Sequence, residues 1–259
     1  MLKVRVIPTL LWKKFGLVKG ASFDSWRRVG PVLPAIKVYN NRDVDELILV
    51  DVNASLEITE PDYESIQEFS QECFVPFTVG GGICKVEQIQ KLLRAGADKI
   101  SVNSAAYENP KLVEEAAKRF GAQCVVASID ARRLDGGYMC FSHSGTKATG
   151  RRPDEWAREL ESRGAGEILV TSIDRDGTMT GYDLVLVESV IRAVNLPVIA
   201  SGGAGNYEHM REAIQVAGAS AVAAASIFHF TEQTPAEAKK VLAAAGIPVR
   251  ENYAEYKSL

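Results

Sequence analysis

The chain has 259 residues, 46% of them hydrophobic, and a formal net charge of −3. It can therefore bury a large core, and its length suits either two ordinary domains or one α/β barrel. So small a charge supplies no field for nucleic acid or anionic lipid. The longest apolar stretch, around Ala219 to Phe228, falls short of the roughly 18 residues that span a bilayer, so a cytoplasmic protein with no membrane segment is expected.

Taken in order, the first apolar run is VRVIPTL. Pro8, Lys13 and Lys14 interrupt the N-terminal stretch and no small-residue cleavage site follows, so it reads as a strand and not as a leader. The segment FGLVKG then reads as a loop, in which Lys19 is solvated unless the loop lies on an active face. DELILVDV, VPFTVGG, DKISVN, CVVASID, EILVTSID, LPVIASGG and SAVAAASIF follow, making eight candidate strands. The helices between them have recognisable ends. One follows Asn109 with Pro110 at its first position, Leu112, Ala116 and Phe120 on one face, and Gly121 closing it. Another follows Pro153, with Trp156 and Leu160 on one side and Gly164 as its stop; a third opens at Thr234 and Pro235 and ends at Gly246. Strands alternating with helices imply a parallel sheet covered by helices.

The second half echoes the first. VPFTVGGGI and LPVIASGGA, like ELILVDV and EILVTSI, are offset by 121 residues, and GADKISVNSAA and GASAVAAASIF by 122. A repeat of half the chain length, with strands in the same order, predicts two half-barrels of four βα units. The fold expected is a single (β/α)8 TIM barrel over residues 1–259.

In such a barrel the strand C-termini and the loops after them form the active face. Gly80, Gly81 and Gly82 follow one strand, and Gly202, Gly203 and Gly205 follow its counterpart. Lacking Cβ atoms, these turns let backbone N–H groups approach an anion. With Asn103-Ser104 and Ala225-Ser226 opening the next helices, they read as two phosphate sites on opposite sides of one mouth, suited to a substrate with a phosphate at each end. Asp51, Asp130, Asp174 and Asp176 lie at or just after strand ends, where a carboxylate can act as general acid or base or, more plainly, as a helix cap. His143, His209 and His229 form no ligand set or triad. Cys73, Cys84, Cys124 and Cys140 show no CxxC spacing and read as buried free thiols. No metal and no cofactor are expected.

The segments FTVGGGI, GADKISVNSAA, SIDARR, GAGEILVTSIDRDGT, GYD and VIASGGAGNYEHMREA together resemble the signature stretches of the cyclase subunit of imidazole glycerol phosphate synthase, along nearly the whole chain. The resemblance implies a barrel that takes ammonia from a glutaminase subunit at its N-terminal face and uses it at the opposite mouth. The substrate there is a bisphosphorylated ribulosyl-formimino aminoimidazole carboxamide ribonucleotide. It implies an ammonia gate at Arg5, Glu46, Lys99 and Glu167, and a glutaminase contact at Asp98; a buried ion network closing the barrel is the plainer reading. It places Lys19 and Asp130 in catalysis. It places Gly81, Gly82, Asn103, Ser104, Thr171, Asp176, Gly177, Ser201, Gly202, Gly203, Ala225 and Ser226 around the phosphorylated substrate.

One position departs from the pattern. The family's other catalytic aspartate, at the end of the first strand, is replaced within IPTLLWKKFG by Leu11, which can neither donate nor accept a proton. VDELILVDVNAS, ECFVPF and DRDGTMTGYDL also resemble cyclase-like paralogues associated with acetamidino modification of sugars in surface-polysaccharide synthesis, which accompany a glutaminase-like subunit and a sugar amidotransferase. The expectation is a paralogue in such a glutamine-dependent system, ahead of an authentic histidine-pathway cyclase. A non-catalytic ammonia conduit is a third reading.

Overall fold

The computed structural model describes residues 3–250. Its strands are β1 (Arg5–Lys13), β2 (Gly16–Ala21), β3 (Asp24–Gly30), β4 (Leu47–Asp51), β5 (Phe77–Gly80), β6 (Lys99–Val102), β7 (Val125–Leu134), β8 (Gly137–Ser142), β9 (Lys147–Ala148), β10 (Glu167–Ser172), β11 (Val198–Ser201) and β12 (Ala221–Ala224). Its helices are α1 (Val32–Asn41), α2 (Ala54–Glu57), α3 (Tyr63–Gln71), α4 (Val86–Arg94), α5 (Ser104–Glu108), α6 (Lys111–Phe120), α7 (Pro153–Ser162), α8 (Leu184–Ile191), α9 (Tyr207–Gln215), α10 (Ser226–Phe230) and α11 (Pro235–Ala244). Strands β1, β4, β5, β6, β7, β10, β11 and β12 pair in parallel in that order, and β12 returns to β1. The fold is a closed (β/α)8 barrel.

Parallel strands need crossovers, and the amphipathic helices supply them. Along α6, Leu112 and Ala116 are buried and Phe120 packs half-buried beside them, while Gly121 closes the helix at φ +93°. Pro110 occupies the capping position just before this helix and not its first residue. Pro153 opens α7, whose Trp156 and Leu160 are wholly buried. Thr234 caps α11 by accepting the Glu237 N–H. Apolar residues form two clusters. The larger lies between sheet and helices, and the smaller, of Ile7, Ile48, Val126, Leu169, Ile199, Ala221 and Ala223, fills the barrel interior.

Three segments differ from expectation. FGLVKG is not a loop: Trp12 pairs with Leu17 and Lys13 with Gly16 as the chain turns back into β2, and β3 adds to it. SAVAAASIF is strand only to Ala224, and its end becomes α10. Of the four cysteines expected to be buried, only Cys140 is; Cys73 and Cys124 are half-buried and Cys84 is exposed. The two antiparallel additions, β2–β3 on β1 and β8–β9 on β7, fall on the first strand of each half-barrel, so the internal repeat extends to where the mouth is built up.

Candidate active site

A cavity of about 530 Å³ opens at the C-terminal ends of the barrel strands. Most residues that the sequence assigned to the mouth line it: Leu11, Lys19, Gly81, Gly82, Asn103, Ser104, Asp130, Thr171, Asp176, Gly177, Ser201, Gly202, Gly203, Ala225 and Ser226, whereas Gly205 and Asp174 do not. Their strands are far apart in sequence, and barrel closure brings them together.

The two glycine turns are counterparts in detail. Gly81 has φ +104° and Gly202 φ +87°, and a Cβ on each would lie 2.4 Å from Asp51 O and 2.7 Å from Ser172 O, the carbonyl ending the preceding barrel strand in each half. Each turn therefore needs glycine both for its dihedral and for its close approach. Gly202→Ala should lower stability by roughly 1–3 kcal/mol, read as a shifted urea midpoint with an unchanged m-value. A loss within error would mean that the turn relaxes without cost. Close to these turns, Asn103 Oδ1 and Ser226 Oγ are buried with no partner, and Thr9 Oγ1, deeper in the cavity, is too. Unpaired buried acceptors and donors at a cavity wall are what a polar ligand satisfies.

Asp130 lies one residue before the end of the barrel-forming part of β7 and pairs in register with Thr171 of β10. Its Oδ2 accepts from Asn103 Nδ2 at 2.9 Å. Burial, and next the charge of Asp176, push its carboxyl up to about 7, against a hydrogen bond from Thr171 that pulls it down. A carboxyl titrating near neutrality can both give and take a proton.

Lys19 is not a solvated loop residue. It lies on β2, is 1% exposed, and its Nζ donates to both carboxylate oxygens of Asp176, at 2.9 and 2.7 Å. The ordering of this pair explains Gly177: a Cβ there would lie 2.1 Å from Gly20 O on the same hairpin. Ser22 N also donates to Asp176 O at 2.8 Å, so the hairpin is fastened to the loop after β10. Asp51 is committed elsewhere, because its Oδ1 accepts the N–H groups of Asn53 and Ala54 at 2.9 and 3.1 Å. Asp174 holds the β7 extension, accepting from Arg133 N at 2.9 Å and pairing with Arg132 at 3.3 Å.

At the opposite end, Arg5, Lys99 and Glu167 are the first residues of β1, β6 and β10, and Glu46 immediately precedes β4. Glu46, 1% exposed, accepts from Arg5 at 2.7 Å, from Lys99 at 2.9 and 3.1 Å, and from Thr78 at 2.7 Å. Glu167 accepts from Arg5 and, at 3.1 Å, from Lys99. Two cations and two carboxylates thus close the barrel floor in a ring. Exposed Asp98 lies beside it, its Oδ2 accepting the Phe77 N–H at 2.8 Å.

Strand β1 measures the separation of ring from cavity. Arg5 is in the ring, Ile7 in the inner apolar cluster, and Thr9 and Leu11 on the cavity wall. At about 3.3 Å per residue, ring and cavity floor are roughly 13 Å apart. Leu169 and Ala223 belong both to the cavity wall and to the apolar cluster.

Two groups at the mouth escaped the reading of the sequence. His143 and Glu108 line the cavity, yet neither belongs to a spacing pattern, since β8 folds back over the end of β6 only in three dimensions. Among the described residues no group of three or more His, Cys, Asp or Glu side chains could hold a metal, and no helix is long and apolar enough to cross a membrane.

Residues 5–234 match the family described as histidine biosynthesis protein. The chain belongs to that family. It is also 49% identical over 250 residues, covering 96% of this chain and 99% of the relative, to imidazole glycerol phosphate synthase subunit HisF of Hyphomonas neptunium. The likeness is thus end to end, and this member of the family is a HisF-like barrel. Its mouth nevertheless presents Leu11 to the cavity.

Proposed function

We propose that this chain is the cyclase subunit of an imidazole glycerol phosphate synthase, condensing ammonia with a bisphosphorylated ligand at the mouth. The observation that carries the reading is the single cavity that has a glycine turn on either side and Asp130 between them, above an apolar core closed by the charged ring. In this reading a glutaminase subunit docks at the N-terminal face near Asp98, and ammonia passes Arg5, Glu46, Lys99 and Glu167. It then crosses the Ile7 layer, whose apolar walls offer a neutral molecule no competing base. Gly81, Gly82, Asn103 and Ser104 take one phosphate; Gly177, Gly202, Gly203, Ala225 and Ser226 take the other. Thr171 and Ser201 lie alongside the ligand, and Lys19 neutralises Asp176 beside Asp130. The near full-length likeness to a HisF subunit supports this reading over a sugar-modifying paralogue.

Leu11 favours a second reading. A mouth with an inert side chain where the family places a carboxylate fits a paralogue that passes ammonia to another acceptor, such as a sugar, in company with a separate amidotransferase. The experiment that separates the two supplies ammonium salt at mildly alkaline pH and the bisphosphorylated intermediate to the parent chain and to Leu11→Asp. Turnover by the parent within about tenfold of Leu11→Asp supports the cyclase. A parent that is silent beside an active Leu11→Asp moves the assignment to the paralogue, because one acid–base group contributes roughly 10²- to 10⁴-fold.

A further inference from the structure

Adding ammonia to a carbonyl and expelling water moves two protons from nitrogen to oxygen. One moves as the C–N bond forms and the oxygen takes the C=O electron pair; the other moves as the nitrogen lone pair forms C=N and water leaves. In each step one group takes a proton from nitrogen while another supplies one to oxygen. With Leu11 as the β1 residue on the cavity wall, the partner of Asp130 has to come from elsewhere on that wall.

Most of the titratable groups there are committed. Lys19 spends its ammonium on Asp176, and Asp51 accepts two backbone N–H groups. Glu60 and Lys85 are exposed at the rim. His143 differs. Its backbone N–H donates to Ser104 Oγ at 2.9 Å, and its carbonyl accepts from Thr146 N at 3.1 Å and Thr146 Oγ1 at 2.6 Å. The ring has the Glu108 carboxylate 3.4 Å from Nε2 and only a neutral hydroxyl, Ser142 Oγ, 3.0 Å from Nδ1, so Nδ1 is the nitrogen that can exchange a proton once a ligand displaces the Ser142 contact. Ser104 follows Asn103, the residue that bonds Asp130, so neighbouring residues anchor both groups.

His143 has φ +51° and Ser144 φ +52°, the paired left-handed dihedrals of a tight hairpin turn. Here the tip of the β8–β9 hairpin is fastened from both sides, since Ser144 Oγ donates to Val52 O at 2.6 Å across the mouth. His143 at this tip lines the cavity.

We propose that His143, oriented by Glu108, is the second proton-transferring residue of this cavity, acting with Asp130 as ammonia condenses with a carbonyl of the phosphorylated ligand. The assignment rests on the ammonia-using reading above. In the addition His143 takes one proton from the nitrogen and protonated Asp130 gives one to the oxygen. As the nitrogen lone pair then forms C=N and the C–O bond breaks, His143 returns its proton to the oxygen, which leaves as water, and Asp130 takes the second proton from the nitrogen, so both groups are restored. Glu108 is a positioning residue that holds the ring and offsets the charge it gains, the arrangement in which a carboxylate orients a catalytic imidazole.

The test is a double-substitution cycle in the ammonium-dependent assay, using the bisphosphorylated histidine-pathway intermediate. His143→Asn is the variant of choice because asparagine tolerates positive φ. In the parent it should lower kcat on the order of 10²-fold with little change in KM. In the Leu11→Asp background, where a carboxylate again stands on β1, the same change should cost less than about tenfold. Glu108→Gln should follow the same pattern with a smaller drop. An equal loss in both backgrounds assigns His143 to structure and overturns the proposal, as does a parent kcat that survives His143→Asn. A parent without turnover, whether Leu11→Asp is active or silent, overturns the cyclase reading and this assignment together, whereas an active parent that keeps its kcat in His143→Asn overturns this assignment alone.

Discussion

Replacing Asp130 by Asn is expected to lower ammonia-dependent turnover by roughly 10²- to 10⁴-fold while leaving the barrel folded. The amide keeps the shape and still accepts from Asn103, but it cannot exchange a proton. Steady-state rates with saturating ammonium give the answer, with near-ultraviolet circular dichroism as the folding control. Retention of product formation by the assembled complex would instead favour the barrel as a passive conduit.

The same substitution has a pH signature. The carboxyl of Asp130 is raised to about 7 by burial and by the charge of Asp176, above the ordinary value near 4. A group whose folded-state pKa lies above its unfolded one adds stability that is fully present below about pH 4 and is lost as pH rises through about 7. The ligand-free parent should therefore melt at a lower temperature at about pH 8 than at about pH 6, and Asp130→Asn should reduce that difference. Equal differences in the two proteins would show that Asp130 titrates in its ordinary range.

Glu46→Gln is expected to destabilise the barrel by about 3–5 kcal/mol, the cost of breaking a buried charge pair by removing one partner. Glu46 is 1% exposed and receives Arg5, Lys99 and Thr78. Its loss leaves two cations facing Glu167 alone in a space with little water. Urea unfolding measures the loss, and about 1 kcal/mol or less would place the ring in solvent. The ring also bears on transport. A network this fully paired closes the floor at rest, so any passage of ammonia requires one of its bonds to open. Lys99 is the readiest candidate, because its side chain is 19% exposed while Glu46 and Glu167 are at 1% and 8%.

Much of this could be read from the chain itself. Eight β-rich runs alternating with capped helices, and a repeat of 121 residues, determined a barrel of two halves, because a strand followed by a helix can return to a parallel neighbour only by crossing over. The glycines at 81, 82, 202 and 203 were legible because φ and close approach exclude other side chains. What the chain concealed depended on contacts remote in sequence. Lys19 read as solvent-exposed because its partner, Asp176, is 157 positions away. His143 read as ordinary because β8 carries it over β6 by antiparallel pairing with β7, which no local spacing encodes. Burial and the field of Asp176 set the proton affinity of Asp130, and both exist only once the barrel has closed. Sequence alone determined which groups were available and on which strands. Only the tertiary structure decided which of them meet and how strongly each holds its proton, since pairing, desolvation and charge proximity are properties of the closed barrel.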